Sequence, residues 1–464
     1  MKKKEFYIVK ENYCILLLKS ILKKNVKKMS EKKEKLDVRH TFFIGLAFFT
    51  TGISWSMYNT QVNITLFQYL GFYALVGAWM AMDNLIGVFI QPLMGSISDK
   101  TRSKFGRRIP YIMVGIPLAA VFFVLISTVS YPQDPMWILL LWMFFFNISM
   151  ASYRSQAVAL MPDFVTPANR SKGNAVINFM GGIGAVMAYI FNLVLVPISL
   201  FLAFLVVAII MVISLVILVF TVKEKDAYSY KLILEMEEKE GEKHKDKKEN
   251  MSIIASFKDV IGEEDKSTLF MLFAIFSWFV GYQALEALFT VYAGDVLSLE
   301  RGPAGGMLLY VALSFLLFAF PAGILGTKIG RKLTIKIGLF LWIISLIVMF
   351  IFQTTTVISI CFVIVGAGWA FININSIVIV WQMAPTVRKI GTYTGLYYFF
   401  SFAAAILGPF LVGLMIDILG NATLFLVCSF FLILALIFVF LVKRGEIELT
   451  EEEKLARQKT IQEL

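Results

Sequence analysis

The sequence has little of what metal sites and disulfide frameworks need. It contains three cysteines (Cys14, Cys361 and Cys428) and two histidines (His40 and His244) among 464 residues. The cysteines share no motif spacing and the histidines lie apart in charged segments, so neither set predicts a disulfide framework or a metal site. The sequence also lacks a phosphate-binding loop and a nucleophilic triad. We therefore expect no metal, no cofactor and no enzymatic activity.

Charge is also scarce, whereas apolar residues are abundant. Charged residues make up 16% of the chain, hydrophobic residues make up 58%, and the mean hydropathy is +0.77. A soluble domain is nearer to one quarter charged and one half apolar. The composition therefore indicates a protein that is embedded in a lipid bilayer.

Twelve apolar runs are each long enough to cross a bilayer as a helix, which takes about 20 residues. Helices are expected because the bilayer core holds no water to satisfy backbone groups. The predicted fold class is an all-α membrane protein with twelve transmembrane helices in two pseudo-symmetric six-helix bundles. We number the runs as spans 1 to 12, and they cover approximately 41–64, 72–97, 109–130, 136–160, 174–196, 198–222, 267–292, 305–327, 333–352, 357–381, 391–415 and 422–442.

Charged segments divide the predicted fold into parts. The first bundle covers 41–222 and the second covers 267–443, with a cytoplasmic basic tail at 1–40 and a cytoplasmic C-terminal tail at 444–464. The linker 223–266 is interpreted as a solvated tether, the alternative being a regulatory segment.

The basic N-terminal tail is too interrupted by lysine to span a membrane or to act as a cleavable signal. We favour Met29 as the true start, because "MSEKKEKLDVRH" is an ordinary cytoplasmic lead-in. A start at Met1 would add a basic amphipathic helix on the membrane surface.

Lysine and arginine segregate to one side of the predicted topology. Of the 43, 41 lie in the two tails and in alternate connections between spans, and the exceptions are Arg154 in span 4 and Arg301. The positive-inside rule then predicts that both termini are cytoplasmic. We expect the membrane to be a plasma membrane. The net charge of +11 therefore indicates orientation and attraction to anionic lipid, and we expect no nucleic-acid partner.

Two charged stretches recur in the second half of the chain. "GSISDKTRSKFGRR" (95–108) follows span 2 and "GILGTKIGRK" (323–332) follows span 8, while "RSKGNAV" (170–176) precedes span 5 and "RKIGTYT" (388–394) precedes span 11. Six spans, a linker and six related spans are typical of secondary transporters.

These motifs resemble the major facilitator superfamily over all twelve spans. Its signature after span 2 is G-x-x-x-D-(R/K)-x-G-R-(R/K), and the chain matches it, with an insert "TRSKF", at Gly95, Asp99, Lys100, Gly106, Arg107 and Arg108. With that insert, "QPLMGSISDKTRSKFGRRIPYI" resembles the sucrose/maltose-type sugar:proton symporters, which are related to the glycoside-pentoside-hexuronide cation symporters. The span 4 segment "YRSQAVALMPD" is similar to the R-x-x-x-x-x-D run of that group.

The resemblance implies a secondary active transporter that imports a sugar (a disaccharide or glycoside) with protons by rocker-switch alternating access, functioning as a monomer. The sequence departs from the related transporters at two sets of positions that bear on ion coupling. The acid that sucrose-type transporters carry in span 4 is Met143 here, and the two acids of the melibiose-type sodium symporters are Gly87 and Gln91. Coupling must therefore use other residues, and melibiose-type sodium coupling is disfavoured.

The resemblance also gives the motif after span 2 a gating role, in which Asp99 beside the arginines pins the two halves together in the outward-open state. A positive-inside anchor alone would need neither Asp99 nor the glycines. Because Thr327 replaces the acid in the second copy, we expect an asymmetric gate, with Lys328 and Arg331 contacting lipid or loops.

Three charged residues lie inside predicted spans, where a charge costs several kcal/mol and usually marks a partner or a pathway. Asp83 in span 2 and Glu286 in span 7 are predicted to couple protons. Arg154 in span 4 is predicted to bind the substrate, because a guanidinium offers several fixed donors to hydroxyl groups. The alternatives are an ion pair of Arg154 with Asp83 or Asp163, and a position of Glu286 at the outer rim.

Polar and aromatic side chains recur on single faces of the spans that line the cavity in this superfamily. With Arg154, the predicted substrate-binding residues are Trp55, Asn59, Asn63, Asn147, Tyr282, Gln283, Trp369, Asn373 and Tyr397. The alternative for each amide is a hydrogen bond between helices. At the level of function, the alternatives are an exporter of drug-like or lipid-like amphipathic compounds and a non-transporting membrane sensor.

Overall fold

The computed structural model describes residues 37–165, 169–227, 262, 264–385 and 389–446. The tail that contains Met1 and Met29, and most of the linker, lie outside these residues. The described part is almost entirely helical and holds no β-strand. In the order of the spans, the helices are Val38–Leu70, Tyr73–Met80 with Met82–Asp99, Ile109–Ser127, Met136–Phe164, Arg170–Val194, Leu200–Thr221, Ser267–Asp295, Arg301–Gly306 with Leu308–Lys328, Arg331–Phe352, Thr355–Met383, Ile390–Leu419 and Leu424–Leu441.

Eleven described helices are long and apolar enough to cross a membrane. Span 1 falls outside this set because "TTGISWSMYNTQVNIT" puts many hydroxyl and amide side chains in its middle. Span 1 nevertheless packs against spans 5 and 6 and also against span 7. The chain is a multi-pass membrane protein, and its most polar helix lies between the two halves, where polar residues face the interior of a bundle.

The two halves pack by one scheme, which confirms the predicted pair of pseudo-symmetric bundles. In the first bundle span 1 contacts spans 5 and 6, span 3 contacts spans 4 and 6, and span 2 contacts span 4. Adding six to each number gives the principal contacts within the second bundle. Between the bundles, span 2 packs on span 11 and span 5 packs on span 8, which are also related by the shift of six.

Span 2 differs from the continuous helix that the sequence predicts. It is interrupted at Ala81, shortly before the buried Asp83. The backbone N–H of Asn84 donates to the carboxylate of Asp83. A side-chain acceptor of this kind competes with the helical carbonyl of the preceding turn. Span 8 is likewise interrupted, at Met307, and begins earlier than predicted, at Arg301.

One carboxylate in each bundle caps the third helix of that bundle. Glu224, after span 6, accepts hydrogen bonds from the backbone N–H groups of Arg108 and Ile109. Glu446, after span 12, accepts from those of Arg331 and Lys332. These N–H groups lie at helix starts, where four donors lack a helical partner and a negative charge is favourable. The two halves therefore resemble each other more closely at these helix starts than the replacement of the acid by Thr327 suggests.

The glycines before these two helix starts are also equivalent. Gly106 has φ 109° and Gly330 has φ 101°, which are backbone conformations that favour glycine. A Cβ at Gly106 would also lie 2.6 Å from the Cβ of Glu224. Relative to the second copy, the "TRSKF" insert lengthens the turn while keeping the glycine and the cap in register.

The bundles are held together at the end of the molecule opposite to the 95–108 motif. Span 2 begins at this opposite end, and there the carboxylate of Asp417 accepts from the backbone N–H groups of Tyr73 (2.8 Å) and Ala74 (2.9 Å). The hydroxyl of Tyr73 donates to Asp295 of span 7 over 3.0 Å. Arg301 of span 8 donates to the side chains of Thr65 and Gln68 in span 1. This end of the bundle interface is therefore sealed.

Small residues allow the seal to close. A Cβ on Gly77 of span 2 would clash with the backbone of Pro409 in span 11, and a Cβ on Gly413 would lie 2.6 Å from the backbone of Tyr73. Glycine at these positions lets the two helices approach at backbone distance, as in other membrane helix pairs.

Candidate functional site

The three charged residues that the sequence places inside spans meet in one cavity between the bundles. Asp83, Arg154 and Glu286 all line a space of about 260 Å³, together with Trp55 and Asn59 of span 1. Asp83 is the most buried of the three, at 4% exposure. A cavity between two bundles with convergent polar groups is where a small-molecule site is expected.

The guanidinium of Arg154 lies over the ring of Trp55, 5.2 Å from its centroid. Within the described part of the chain, Arg154 makes no hydrogen bond and no ion pair within 4.0 Å. Asp163, one of its predicted partners, instead pairs with Arg107 (2.6 Å). The donors of Arg154 are therefore directed at the cavity and available to a ligand, next to an aromatic face that favours a cation.

Asp83 is stabilised from its own helix. Its carboxylate accepts a hydrogen bond from the side-chain amide of Asn84 over 2.7 Å, and the charges of Arg154 and Glu286 both act on it. A buried carboxylate is costly unless such groups surround it. Asp83 is therefore a buried carboxylate that is held among polar and charged groups of the cavity.

Glu286 connects the two bundles across the cavity. Its carboxylate accepts a hydrogen bond from the side-chain amide of Asn59 in span 1 over 3.2 Å. Glu286 is only partly exposed and lines the cavity, so it does not lie at an outer rim. A proton or a ligand that changes this contact changes an interaction between the bundles.

A second, larger space of about 510 Å³ adjoins the first. Both are lined by Ser56, Arg154 and Glu286, so the two spaces meet at these residues. We call the smaller space the polar lobe and the larger one the aromatic lobe, since the rings that line the latter are Tyr189, Phe279, Tyr282, Phe315, Trp342 and Trp369. Of the other predicted substrate residues, Gln283 lines the polar lobe and Asn373 lines the aromatic lobe.

Three predicted substrate residues lie away from both lobes. Asn63 is buried and donates to the carbonyl of Ala287 in span 7 over 2.6 Å, so it belongs to the seal between the bundles. Asn147 packs against the hydroxyl of Tyr58. Tyr397 is hydrogen-bonded to Ser376 over 3.1 Å. In this conformation all three contact neighbouring helices, and for Asn63 and Asn147 this is the alternative considered for each amide.

Several cavity residues were missed by sequence reasoning. Tyr189 of span 5 and Trp342 of span 9 lie on spans outside the expected lining set, and Asn84 follows Asp83 directly. Only Asn84 carries a signal that could have been read, because a polar pair inside a span is rare.

The motif after span 2 forms a charged cluster at its own end of the first bundle. Arg107 pairs with Asp163, while Arg108 pairs with Asp99 (2.6 Å) and donates to the hydroxyl of Ser98. Within the described residues, Asp99 has no hydrogen bond or ion pair to the second bundle, and its side chain is 49% exposed. Gly95 and Lys100 lie in the same segment, beside the end of span 2.

Glu224 completes this cluster from the end of span 6. Burial raises the pKa of its carboxyl above the usual value of 4.5, although the backbone N–H groups of Arg108 and Ile109 oppose the rise. Burial favours the neutral form of an acid, whereas hydrogen bonds to the carboxylate favour the charged form. The carboxyl that caps span 3 therefore takes up a proton more readily than an ordinary glutamate does.

A fold of two six-helix bundles with a charged cavity between them defines the class of membrane transporters with internal repeats. A family model described as Major Facilitator Superfamily matches residues 44–318 and 304–463. The chain therefore belongs to the major facilitator superfamily.

Solved structures of similar fold agree with this assignment. The nucleoside transporter NupG is 16% identical, with a TM-score of 0.65 and coverage of 87% of this chain and 99% of that chain. A bacterial homolog of the human lysosomal transporter Spinster, in an inward-facing and occupied conformation, is 14% identical with a TM-score of 0.63, covering 87% of this chain and 96% of that chain. A POT family transporter in complex with 5-aminolevulinic acid is 14% identical with a TM-score of 0.59, covering 86% and 95%. A comparison with curated proteins gives no match.

Proposed function

We propose that this protein is a secondary active transporter of a plasma membrane that imports a sugar, a disaccharide or other glycoside, together with protons and as a monomer. The observation that carries the proposal is Arg154, a charged group inside a membrane cavity whose donors have no partner among the described residues. A buried cation without hydrogen bonds is costly. A polyhydroxyl ligand would supply the missing acceptors. Relief of this cost would then contribute to the affinity for that ligand.

The carboxylates of the same cavity supply the coupling. Glu286 is bonded to Asn59 across the bundle interface, and Asp83 is buried near Arg154. Protonation of either carboxylate would change the charge balance around Arg154 and, at Glu286, a bond between the bundles. Binding of the sugar and the proton would then favour the same conformational change.

The seal at the opposite end supports a rocker-switch mechanism. With the motif end cytoplasmic, as the distribution of lysine and arginine predicts, the conformation described here is closed toward the outside. Asp99 would contact the second bundle only in the outward-open state, in agreement with its exposure here. The similarity to a structure of inward-facing conformation is consistent with this assignment.

An exporter of amphipathic compounds is the second candidate, and the aromatic lobe favours it. An exporter, however, should turn its cavity amides toward neighbouring helices. Asn63 and Asn147 do so, whereas the side chains of Gln283 and Asn373 line the lobes and have no hydrogen-bond partner among the described residues. These two amides and Arg154 favour a ligand rich in hydroxyl groups.

Ligand binding to the purified protein tests the choice, since a ligand that binds only the folded state raises its Tm by mass action. We expect methyl glycosides or disaccharides to raise the Tm of the wild-type protein and not that of Arg154→Ala. If lipophilic compounds stabilise the protein and no sugar does, the sugar proposal is overturned in favour of the exporter.

A further inference from the structure

The two lobes of the cavity differ in the chemistry that they offer to a ligand. The polar lobe is small and lined by charged and amide side chains, whereas the aromatic lobe is about twice as large and lined chiefly by rings and aliphatic groups. Ligand cavities for drug-sized molecules run from about 300 Å³ upward. The polar lobe, at about 260 Å³, suits one small polar ring, and the aromatic lobe has room for a further group.

The wall of the aromatic lobe is a stack of nearly parallel rings. Tyr282 and Trp369 stack with centroids 4.2 Å apart and an interplanar angle of 10°, and Trp342 continues the stack at 5.5 Å from Trp369. Phe279 stands perpendicular to Trp369 at 5.4 Å. Phe279 and Tyr282 are the partly exposed rings of this group, so they are the ones that a flat ligand can contact most directly.

This wall is held rigidly by its helices. The indole N–H of Trp342 donates to the backbone carbonyl of Val365 in span 10, and Trp342 is only 1% exposed. A Cβ on Gly368 would lie 2.8 Å from both the carbonyl of Gly338 and the ring of Trp342. The glycines therefore let spans 9 and 10 approach until the rings stack, and a rigid wall loses little entropy when a flat ligand binds.

The aromatic lobe also offers a polar side chain that could bond to a heterocyclic ligand. The amide of Asn373 lines the aromatic lobe without a hydrogen-bond partner among the described residues. An amide beside an aromatic wall can donate to and accept from the edge of a heterocycle while the face of that ring stacks. A purely aliphatic group would leave this amide unsatisfied.

We propose that the aromatic lobe binds a planar aromatic group attached to the sugar, so that the substrate is a glycoside with an aromatic aglycone. This chemistry is shared by aryl glycosides and nucleosides. The two lobes meet at Ser56, Arg154 and Glu286, so one ligand can place its sugar ring in the polar lobe and its aromatic group in the other. The inference rests on the proposed sugar transport and specifies its substrate.

Binding of matched ligands to the purified full-length protein tests the inference. A methyl glucoside and a phenyl glucoside share the sugar and the O-glycosidic link and differ in the aromatic group. A methyl riboside and uridine share the sugar and differ in the aglycone, which is an N-linked aromatic base in uridine. We expect the aromatic member of at least one pair to bind on the order of ten-fold more tightly, which is the usual worth of one stacked ring. A gain in the glucoside pair would indicate an O-linked aryl glycoside, whereas a gain in the riboside pair would indicate an N-linked nucleoside.

Two variants test whether the gain in affinity comes from the aromatic wall. Phe279→Leu and Trp369→Leu should each reduce the gain in affinity to less than about two-fold, since each removes a ring from the wall. Because Phe279 is partly exposed, Phe279→Leu should still fold even if Trp369→Leu does not. Phe430→Leu is the matched control, because Phe430 lies in span 12 and outside both lobes.

The outcomes separate the two proposals. Equal binding of the methyl and aromatic members in both pairs would overturn the inference and leave sugar transport intact. Phenol binding as tightly as its glucoside would also overturn the inference and support an exporter of aromatic compounds. If neither methyl glycosides nor aromatic glycosides bind at all, the proposed function fails and the inference fails with it.

Discussion

Asp417 at the end of span 11 caps the start of span 2 in the other bundle, accepting hydrogen bonds from the backbone N–H groups of Tyr73 and Ala74. The helix start has no side-chain cap of its own, since Phe72 occupies the N-cap position. A carboxylate is the favourable partner for exposed N–H groups at this place. The cap exists only while the two bundles touch at this end, so it stabilises one conformation of the transporter over the other.

Asp417→Asn should therefore shift the protein toward the conformation that is open at this end. Hydrogen bonds to a charged group contribute about 1.5–3 kcal/mol, which is enough to change the populations about ten-fold or more. Spin labels at Tyr131 and Phe352, which are exposed positions on different bundles, report the opening. We expect their mean distance to increase in the variant.

Asp134→Asn is the matched control, since Asp134 bonds only within the first bundle among the described residues. It should leave the distance distribution unchanged. An unchanged distribution in Asp417→Asn would show that the cap does not control the seal.

Arg154→Ala should weaken substrate binding strongly while the protein still reaches the membrane. The guanidinium makes no hydrogen bond or ion pair among the described residues, so its removal breaks few internal contacts. We expect affinity to fall about ten- to one-hundred-fold, the range for a lost charged donor. Arg154→Lys, which keeps the charge but not the fork of donors, should recover part of it. Normal transport by Arg154→Ala would leave the residue a structural role at most.

Asp83→Asn should separate sugar movement from proton movement. The amide keeps the shape of the carboxylate but cannot take up a proton, so sugar exchange should persist and accumulation driven by a pH gradient should be lost. Radiolabelled sugar in proteoliposomes measures both. Retained proton-driven accumulation would move the coupling role to Glu286, for which Glu286→Gln is the corresponding variant.

Glu224 gives the protein a measurable pH dependence of stability. Its folded-state pKa is raised by burial, so the folded state binds a proton more readily than the unfolded state does. Its contribution to the free energy of unfolding is therefore greatest in acid and is lost as the pH rises through the folded pKa. Glu224→Gln lacks this titration.

The measurement for Glu224 is the Tm of both proteins between about pH 4 and pH 7, a range that brackets a raised glutamate pKa. The Tm of the wild type relative to that of Glu224→Gln should increase as the pH falls. A difference that is constant over the whole range would show that the pKa of Glu224 is not raised.

Local patterns in the sequence predicted the spans, the duplicated halves and the three intramembrane charges, because each is encoded within a short stretch. Distances along a helix explain why two of the predicted residues lie outside the cavity. Asn63 follows Asn59 by four residues, or about 6 Å of helical rise, and Asn147 precedes Arg154 by seven, or about 10 Å. Residues on one face of a helix can therefore lie at different depths, and only one depth contains the cavity.

Contacts between bundles are not encoded locally. The cap of Tyr73 by Asp417 joins positions that are 344 residues apart. The role of Trp342 depends on how closely spans 9 and 10 approach at Gly338 and Gly368. Both features depend on packing and not on periodicity, so the sequence alone gives no sign of them.

The central claim is that sugar movement is driven by protons through the cavity at Arg154, and uptake into proteoliposomes tests it most directly. Labelled glycosides should accumulate above the external concentration when the outside is acidic. Accumulation should cease when the pH gradient is collapsed, and Arg154→Ala should abolish it. Absence of sugar uptake, or uptake that is indifferent to the gradient, would contradict the account.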